Sequence, residues 1–212
     1  MRRTARAAAI AAVVLSGCPL PQPLPDYPEG QPVTPPRIVV DDTVRAVLQP
    51  ESIVRVPAGC PREPVFPLGA TLRDAITNEA VVARWFVNYD PTNRPSLAVQ
   101  QANDILAPGD GTVDPTLRET PAFQFPAYQY PSAGGSAAAG TAGALHVVEL
   151  VVSNGFDPNA DVATATSAYR KPKLGFEVQV YRWVFLTVPP SPDGCTGAGC
   201  VTCPAPPVVP AG

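Results

Sequence analysis

Three stretches of the chain alternate apolar and polar residues with a period of two, the pattern of a strand with one buried face. In VVARWFVNYD, residues 81–90, Val81, Ala83, Trp85, Val87 and Tyr89 share one face, with Arg84 and Asn88 on the other. In ALHVVELVVSNGF, residues 144–156, His146, Val148, Leu150 and Val152 fall together and Glu149 and Ser153 lie opposite. That run ends at Ser153-Asn154-Gly155, where Asn-Gly signals a turn. GFEVQVYRWVFLTV, residues 175–188, alternates from Phe176 to Val180 and then becomes apolar on both faces. A strand covered on both sides, or one with a bulge near Arg182, accounts for the change. Shorter β-rich runs occur at 37–40, 52–57, 69–76 and 122–130. The one helical candidate is SLAVQQANDIL, residues 96–106, which lacks internal Pro and Gly. About seven short strands in a single-domain length, with prolines scattered throughout, predict an all-β antiparallel sandwich with long loops and one short helix.

The first residues follow different rules. Arg2, Arg3 and Arg6 precede nine apolar residues, AAAIAAVVL, and then Ser16-Gly17-Cys18. A charged start, a short apolar run and small residues at its end make an export signal over residues 1–17. The run is too short to span a bilayer, which takes about 20 apolar residues. Leu15-Ser16-Gly17-Cys18 resembles the lipobox of bacterial lipoproteins. The resemblance implies a covalent lipid on Cys18, cleavage just before it and acylation of the new amino group. Two or more acyl chains hold a protein stably at a membrane, so the expected anchor is lipid and the expected cofactor count is otherwise none. No Asp follows Cys18, the next residue being Pro19, and the family's sorting tendency then favours the outer membrane.

Residues 18–36 form a linker with eight prolines, PLPQPLPDYPEGQPVTPP after the cysteine. Proline fixes its own φ and keeps its neighbour extended. Such a segment has no packed core and predicts a disordered or polyproline II tether that lifts the domain off the headgroups. The domain itself is expected at 37–188, followed by a Cys/Pro-rich tail at 189–212.

A tryptophan in RWFVNYD, followed much later by GALHVVELVVSNGF, resembles the middle and late strands of immunoglobulin-like domains, the PKD-like subgroup in particular. The resemblance implies that Trp85 packs between the two sheets. It departs at YPSAGGSAAAGTAGA, residues 130–144, a low-complexity stretch that reads as a flexible loop, and at the long insertion 157–174.

Composition narrows the partners. Of 15 Lys and Arg, three leave with the signal, so 12 basic residues face 18 acidic ones. An acidic chain without a basic run excludes nucleic acid. Besides Cys18 the chain has Cys60, Cys195, Cys200 and Cys203. An even number in an exported domain predicts two disulfides, with three connectivities open. The flexible TGAG between Cys195 and Cys200 suits a small loop, and Cys203 would then reach Cys60. Cys200-x-x-Cys203 also has zinc-ligand spacing, but only one such pair exists.

Catalytic chemistry has few carriers. His146 is the only histidine, and its same-face neighbours Val148 and Leu150 mark it as a hydrogen-bonded structural residue. Without it no Ser-His-Asp or Cys-His arrangement can form. No phosphate-binding glycine loop is present; APGDGTVDP, residues 107–115, has acids and no lysine. Paired carboxylates could serve a glycosidase, and the candidates Asp110, Asp114, Asp157 and Asp161 all sit in turn-forming sequence. Asp157-x-Asn159-x-Asp161 opens like a calcium loop, but Val162 replaces the required Gly and Ala168 the required Glu. Two aromatic sets remain: Tyr181, Trp183 and Phe185, and Phe123, Phe125, Tyr128 and Tyr130. Both are expected in the core.

The expectation is a lipid-anchored envelope protein, not an enzyme, whose sandwich is a binding or structural module for envelope proteins or glycans. The alternatives are an envelope hydrolase using loop carboxylates and a subunit of an outer-membrane assembly or secretion complex.

Overall fold

A computed structural model describes residues 35–39, 53–93, 100–105, 114–135, 137–156, 170–190, 195 and 199–205. Among them the chain forms ten strands: β1 (Arg37–Val39), β2 (Val54–Pro57), β3 (Val65–Leu68), β4 (Thr71–Arg73), β5 (Val81–Val87), β6 (Gln101–Ile105), β7 (Leu117–Glu119), β8 (Phe123–Pro126), β9 (Leu145–Ser153) and β10 (Gln179–Val188). One layer is five-stranded in the order β2-β10-β9-β5-β6. Its pairs are antiparallel except β2 with β10, which run parallel. The other layer comprises β1-β4-β7 and β3-β8. This is the expected all-β sandwich. The strand order follows the immunoglobulin-like plan, with β5, β9 and β10 in the places of strands C, F and G and β1, β4 and β7 in those of A, B and E.

The second layer is split because two long strands break at one level. β3 and β4 are interrupted at Gly69-Ala70, opposite the break between β7 and β8. Across it the Thr120 amide donates to Ala70 O at 3.0 Å, and the Ala70 amide donates to Thr120 Oγ1 at 2.9 Å. A side-chain hydroxyl thus stands in for a ladder carbonyl, and the Ala70 and Thr120 donors stay paired across the break.

The two layers meet in one core. Alternation delivers Val81, Ala83, Trp85 and Val87 from β5, Val148, Leu150 and Val152 from β9, and Trp183 and Phe185 from β10, against Leu68, Leu72, Phe123 and Phe125 opposite. Trp85 is fully buried and stacks on Phe123 at 5.3 Å and on Trp183 at 5.4 Å. It therefore packs between the sheets, as the resemblance implies. A side chain of that size buries about 150–250 Å², roughly 4–6 kcal/mol of transfer energy before entropy is charged against it. Both aromatic sets belong to this core or pack on it, with Tyr128, Tyr130 and Tyr181 half-buried at its margin.

Three expectations are corrected and one open alternative, at β10, is settled in favour of a strand covered on both sides. The helix at 96–106 is not formed over its described part: Gln101–Ile105 is the edge strand β6, paired antiparallel with β5. Its Gln, Ala and Leu content favours helix, but pairing with a formed strand and burial of Ile105 outweigh a few tenths of a kcal/mol per residue. No bulge interrupts β10, which pairs with β9 in unbroken register from Gln179↔Val152 to Leu186↔Leu145. Its late apolar residues instead face both ways, with Trp183 and Phe185 inward and Val184 and Leu186 half-buried outward. Tyr89 does not share the face of Trp85. Asn88 adopts a left-handed φ of 53°, which ends the alternation and turns Tyr89 onto Phe86 at 5.4 Å on the outer face. Lastly, the glycine-rich stretch is a series of defined turns among its described residues. Gly134, Gly135, Gly140 and Gly143 all have positive φ. Gly140 also abuts the Tyr128 ring, where an added Cβ would come within 3.0 Å.

Both disulfides form in the favoured connectivity, Cys60–Cys203 with Cα atoms 5.3 Å apart and Cys195–Cys200 with 5.4 Å. Each of the four thiols is thereby used, which removes the zinc reading of Cys200-x-x-Cys203. The tail is also held by backbone: the Arg55 amide donates to Gly199 O, and the Val201 amide to Arg55 O.

Candidate functional site

At one end of the sandwich the connection after β5 faces the connection after β8, and a cleft of about 520 Å³ opens between them. Its lining includes Asn88, Asp90, Asn93, Gln100, Tyr130 and Ser132, with Gly134 and Gly135 at the rim. The size lies within the roughly 300–1,000 Å³ of small-molecule sites.

Asn88 builds the floor. Its left-handed backbone is one that asparagine tolerates better than most residues. Its Oδ1 accepts the Val147 amide at 2.9 Å, and its Nδ2 donates to Pro131 O at 2.7 Å. One side chain thus fastens the β5 connection to β9 and to the β8–β9 connection. Those two bonds fix which end of the amide is nitrogen. Nδ2 lies 3.1 Å from His146 Nδ1, so the imidazole accepts there and carries its proton on Nε2.

His146 is fully buried, edge-on to Phe125 at 5.8 Å. Its Nε2 meets no hydrogen-bond partner. Burial holds its pKa below the ordinary 6.5. It is a structural histidine beneath the cleft, as the alternation on β9 indicates.

The walls are ordered by local chemistry. Asp90 Oδ1 accepts the Thr92 amide at 2.8 Å and the Thr92 hydroxyl at 2.7 Å, which holds its carboxyl below the usual 3.8. The Tyr130 ring lies stacked on Phe125, with centroids 5.8 Å apart and planes 16° apart. Its hydroxyl donates to Gln100 Oε1 at 3.3 Å, and burial raises its pKa above 10.0. Ser132 Oγ accepts the Leu145 amide at 3.0 Å and so takes the place of a strand neighbour.

The other candidates from the sequence do not converge here. Asp114 closes its own turn, with Oδ1 accepting the Thr116 amide at 2.9 Å and the Thr116 hydroxyl at 2.5 Å, and its pKa falls below 3.8. Asp110, the calcium candidates Asp157, Asn159 and Asp161, and the lipidation candidate Cys18 lie outside the described residues. Among the described residues no group of three or more His, Cys, Asp and Glu could hold a metal ion, and no helix is long and apolar enough to cross a membrane. The cleft itself was not read from the sequence. The signal available was Asn88, a turn-tolerant polar residue ending a strand, together with aromatics assigned wholly to the core.

Fold and cleft together define an all-β sandwich with a polar end cleft. No family model matches the chain, and no curated protein matches it. Among solved structures, the chain is similar to the fusolin spindles of a Wiseana entomopoxvirus with a TM-score of 0.33 and 8% identity, over 76% of this chain and 48% of that one. The chain thus spans about half the length of that structure, and a likeness of this degree carries no functional argument.

Proposed function

We propose that this chain is a lipid-anchored envelope protein whose β-sandwich serves as a non-catalytic binding or structural module, carried away from the membrane on its proline-rich tether. The observation that carries the reading is the use of the cysteines. The chain has five, and four of them close two disulfides inside the folded unit, which suits an oxidising compartment outside the cytoplasm. The fifth, Cys18, follows Leu15-Ser16-Gly17 at the end of the export signal. A thiol placed there is the acceptor for diacylglycerol in the lipoproteins it resembles, with the outer membrane as the favoured destination.

The non-catalytic half of the reading is supported by what the polar groups are doing. His146 is sealed under Phe125 with Nδ1 occupied by Asn88. Asp90 and Asp114 each close a threonine turn. The test is fractionation of native envelopes from cells expressing wild type and Cys18→Ala. Wild type is expected in the outer-membrane fraction, and the variant is expected to leave it. A variant that stays membrane-bound as firmly as wild type overturns the anchor.

A further inference from the structure

The connection from β9 to β10 turns a leucine outward on a fixed support. Phe156 and Pro172 form an antiparallel bridge, and the Lys173 amide donates to Gly155 O at 3.0 Å. The Phe176 amide then donates to Lys173 O at 3.0 Å, closing a turn over Lys173-Leu174-Gly175-Phe176. Gly175 takes a left-handed φ of 87°, as the third residue of a type II turn requires. Phe176 folds back so closely over Gly155 that an added Cβ there would come within 2.8 Å of its ring. The turn is therefore held against the end of the sheet, and Leu174 at its apex is 87% exposed.

Positive charge gathers beside that leucine. Lys171 and Lys173 are the chain's only lysines. Both are exposed, and among the described residues neither ammonium has a carboxylate partner. The preceding Arg170 differs, being paired with Glu149 at 3.1 Å. Arg37, exposed at the start of β1, adds to the lysines, and the exposed Glu177 offsets one of them.

The position of the turn selects its partner. The Ile38 amide donates to Gln179 Oε1 at 2.9 Å, so β1 enters the domain beside the first residue of β10. Gln179 is five residues from Leu174, a reach of at most about 18 Å. The proline-rich segment leads into β1, and so it meets the sandwich at the end that carries the turn. The end cleft lies at the other end, because β5 starts beside the close of β9, with Val82 opposite Ser153, and the cleft follows Val87. A stable protein interface takes about 800 Å² of matched surface per partner, far more than one leucine and two lysines supply. A bilayer asks for no such match: a single apolar side chain enters the headgroup boundary while lysines beside it keep their ammoniums at anionic phosphates. The tether makes that second contact intramolecular, at an effective concentration of about millimolar, so a weak contact is enough.

We infer that the Lys171–Leu174 turn docks on anionic phospholipid, with Leu174 inserted and both lysines at the headgroups. Docking turns the end cleft away from the bilayer. The inference rests on the lipid-anchor reading and names what the near end of the domain touches.

The experiment adds the full lipidated chain carrying Leu174→Trp to vesicles of phosphatidylcholine with and without phosphatidylglycerol. Trp85 and Trp183 are buried, so lipids brominated near the headgroup end of the acyl chain quench only the new indole. Quenching is expected on the anionic vesicles and is expected to fall severalfold in about 1 M salt, where the screening length is about 3 Å. Lys171→Gln with Lys173→Gln is expected to lower the docked-to-free ratio about twenty-five-fold, at about fivefold per lysine. All three substitutions are at exposed positions. Quenching that is equal on neutral and anionic vesicles, unchanged in the double variant, or missing at millimolar anionic lipid overturns the docking. Flotation with neutral vesicles reads the anchor by itself. A chain that floats without quenching loses the docking alone, and one that is quenched on anionic vesicles but does not float on neutral ones loses the anchor alone.

Discussion

Asp74 and Glu149 are both carboxylates that the fold takes out of water beside arginine, and they are held by different means. Asp74 follows β4 and meets Arg118 of β7 at 3.1 Å, with neither side chain exposed. The Arg118 guanidinium also donates to Glu79 O at 2.6 Å, Ile76 O at 2.6 Å and Ile105 O at 3.0 Å. One arginine therefore joins β7, the β4–β5 turn and the end of β6, and crosses from one layer to the other. Glu149 sits on the outward face of β9, directly across from Arg182 at 2.6 Å and 3.1 Å from Arg170. Arg182 is 60% exposed, so water and salt reach that side of the cluster. Arg170 lies over the Tyr89 ring at 4.3 Å, and Arg84 over Phe156 at 4.0 Å. The outer face of the sheet is thus a belt of cations and rings, while the Asp74 site is a dry clamp. Burial of the carboxylate is similar in the two places; what differs is whether its partner can escape into water.

The sharpest way to break that comparison is Arg118→Met. The change leaves Asp74 and three backbone carbonyls in a sealed site, where removing one partner of a buried pair costs about 3–5 kcal/mol. Urea unfolding is expected to show that loss as a lower midpoint with an unchanged slope. A loss below about 1 kcal/mol would place the site in the class of solvated pairs and remove the distinction.

Glu149→Gln tests the other half and is expected to cost about 1–2 kcal/mol, because a hydrogen bond to a charged group is lost but Arg182 relaxes into solvent. Its cost should shrink as salt is raised from low ionic strength to about 1 M, where the screening length is about 3 Å. The Arg118→Met loss should hold nearly constant over the same range. Equal salt sensitivity in the two variants would show that the clamp is wet.

Much of the fold could be read from residues alone. The period-two runs locate β5, β9 and β10 and put Trp85, Val148 and Leu150 on inward faces, because a buried face imposes its own spacing on the sequence. The disulfide pairing was favoured for a comparable local reason, the short flexible loop between Cys195 and Cys200. What stayed hidden depends on contacts between distant segments. β6 reads as helix because Gln and Ala carry no strand signal, and only the neighbouring β5 makes residues 101–105 a strand. Nothing in the sequence around Arg118 points to Asp74 and the three carbonyls from other elements that close round it. The cleft exists because Asn88 reaches Pro131 and Val147, 43 and 59 residues away. Alternation placed Asn88 on the face opposite Trp85, and nothing in the sequence predicts its left-handed φ or its partners. The glycine-rich stretch looks unstructured by composition, yet its glycines supply the positive φ that its turns need.

His146 gives the comparison a third member, a buried polar group that is neutral. Its Nδ1 accepts from Asn88, and its Nε2 has no partner, so a second proton would place a donor against the Asn88 amide and a charge in the core. Burial therefore holds the folded pKa below 6.5. The unfolded chain takes up a proton as pH falls through about 6.5 while the folded chain does not. The unfolded state then binds more protons, so the stability present above that pH is lost on acidification towards the folded pKa. The slope for one proton cannot exceed about 1.4 kcal/mol per pH unit. Between pH 7 and pH 5, urea midpoints of wild type are expected to fall, and those of His146→Gln, which keeps an acceptor for Asn88 but does not titrate, to stay nearly level. Asp90 and Asp114 also favour the folded state above their depressed pKa values, but that contribution is lost only as pH falls below about 3.8, outside this window. Parallel pH profiles for wild type and His146→Gln would mean that His146 reaches water in the folded state, and the neutral floor of the cleft would go with it.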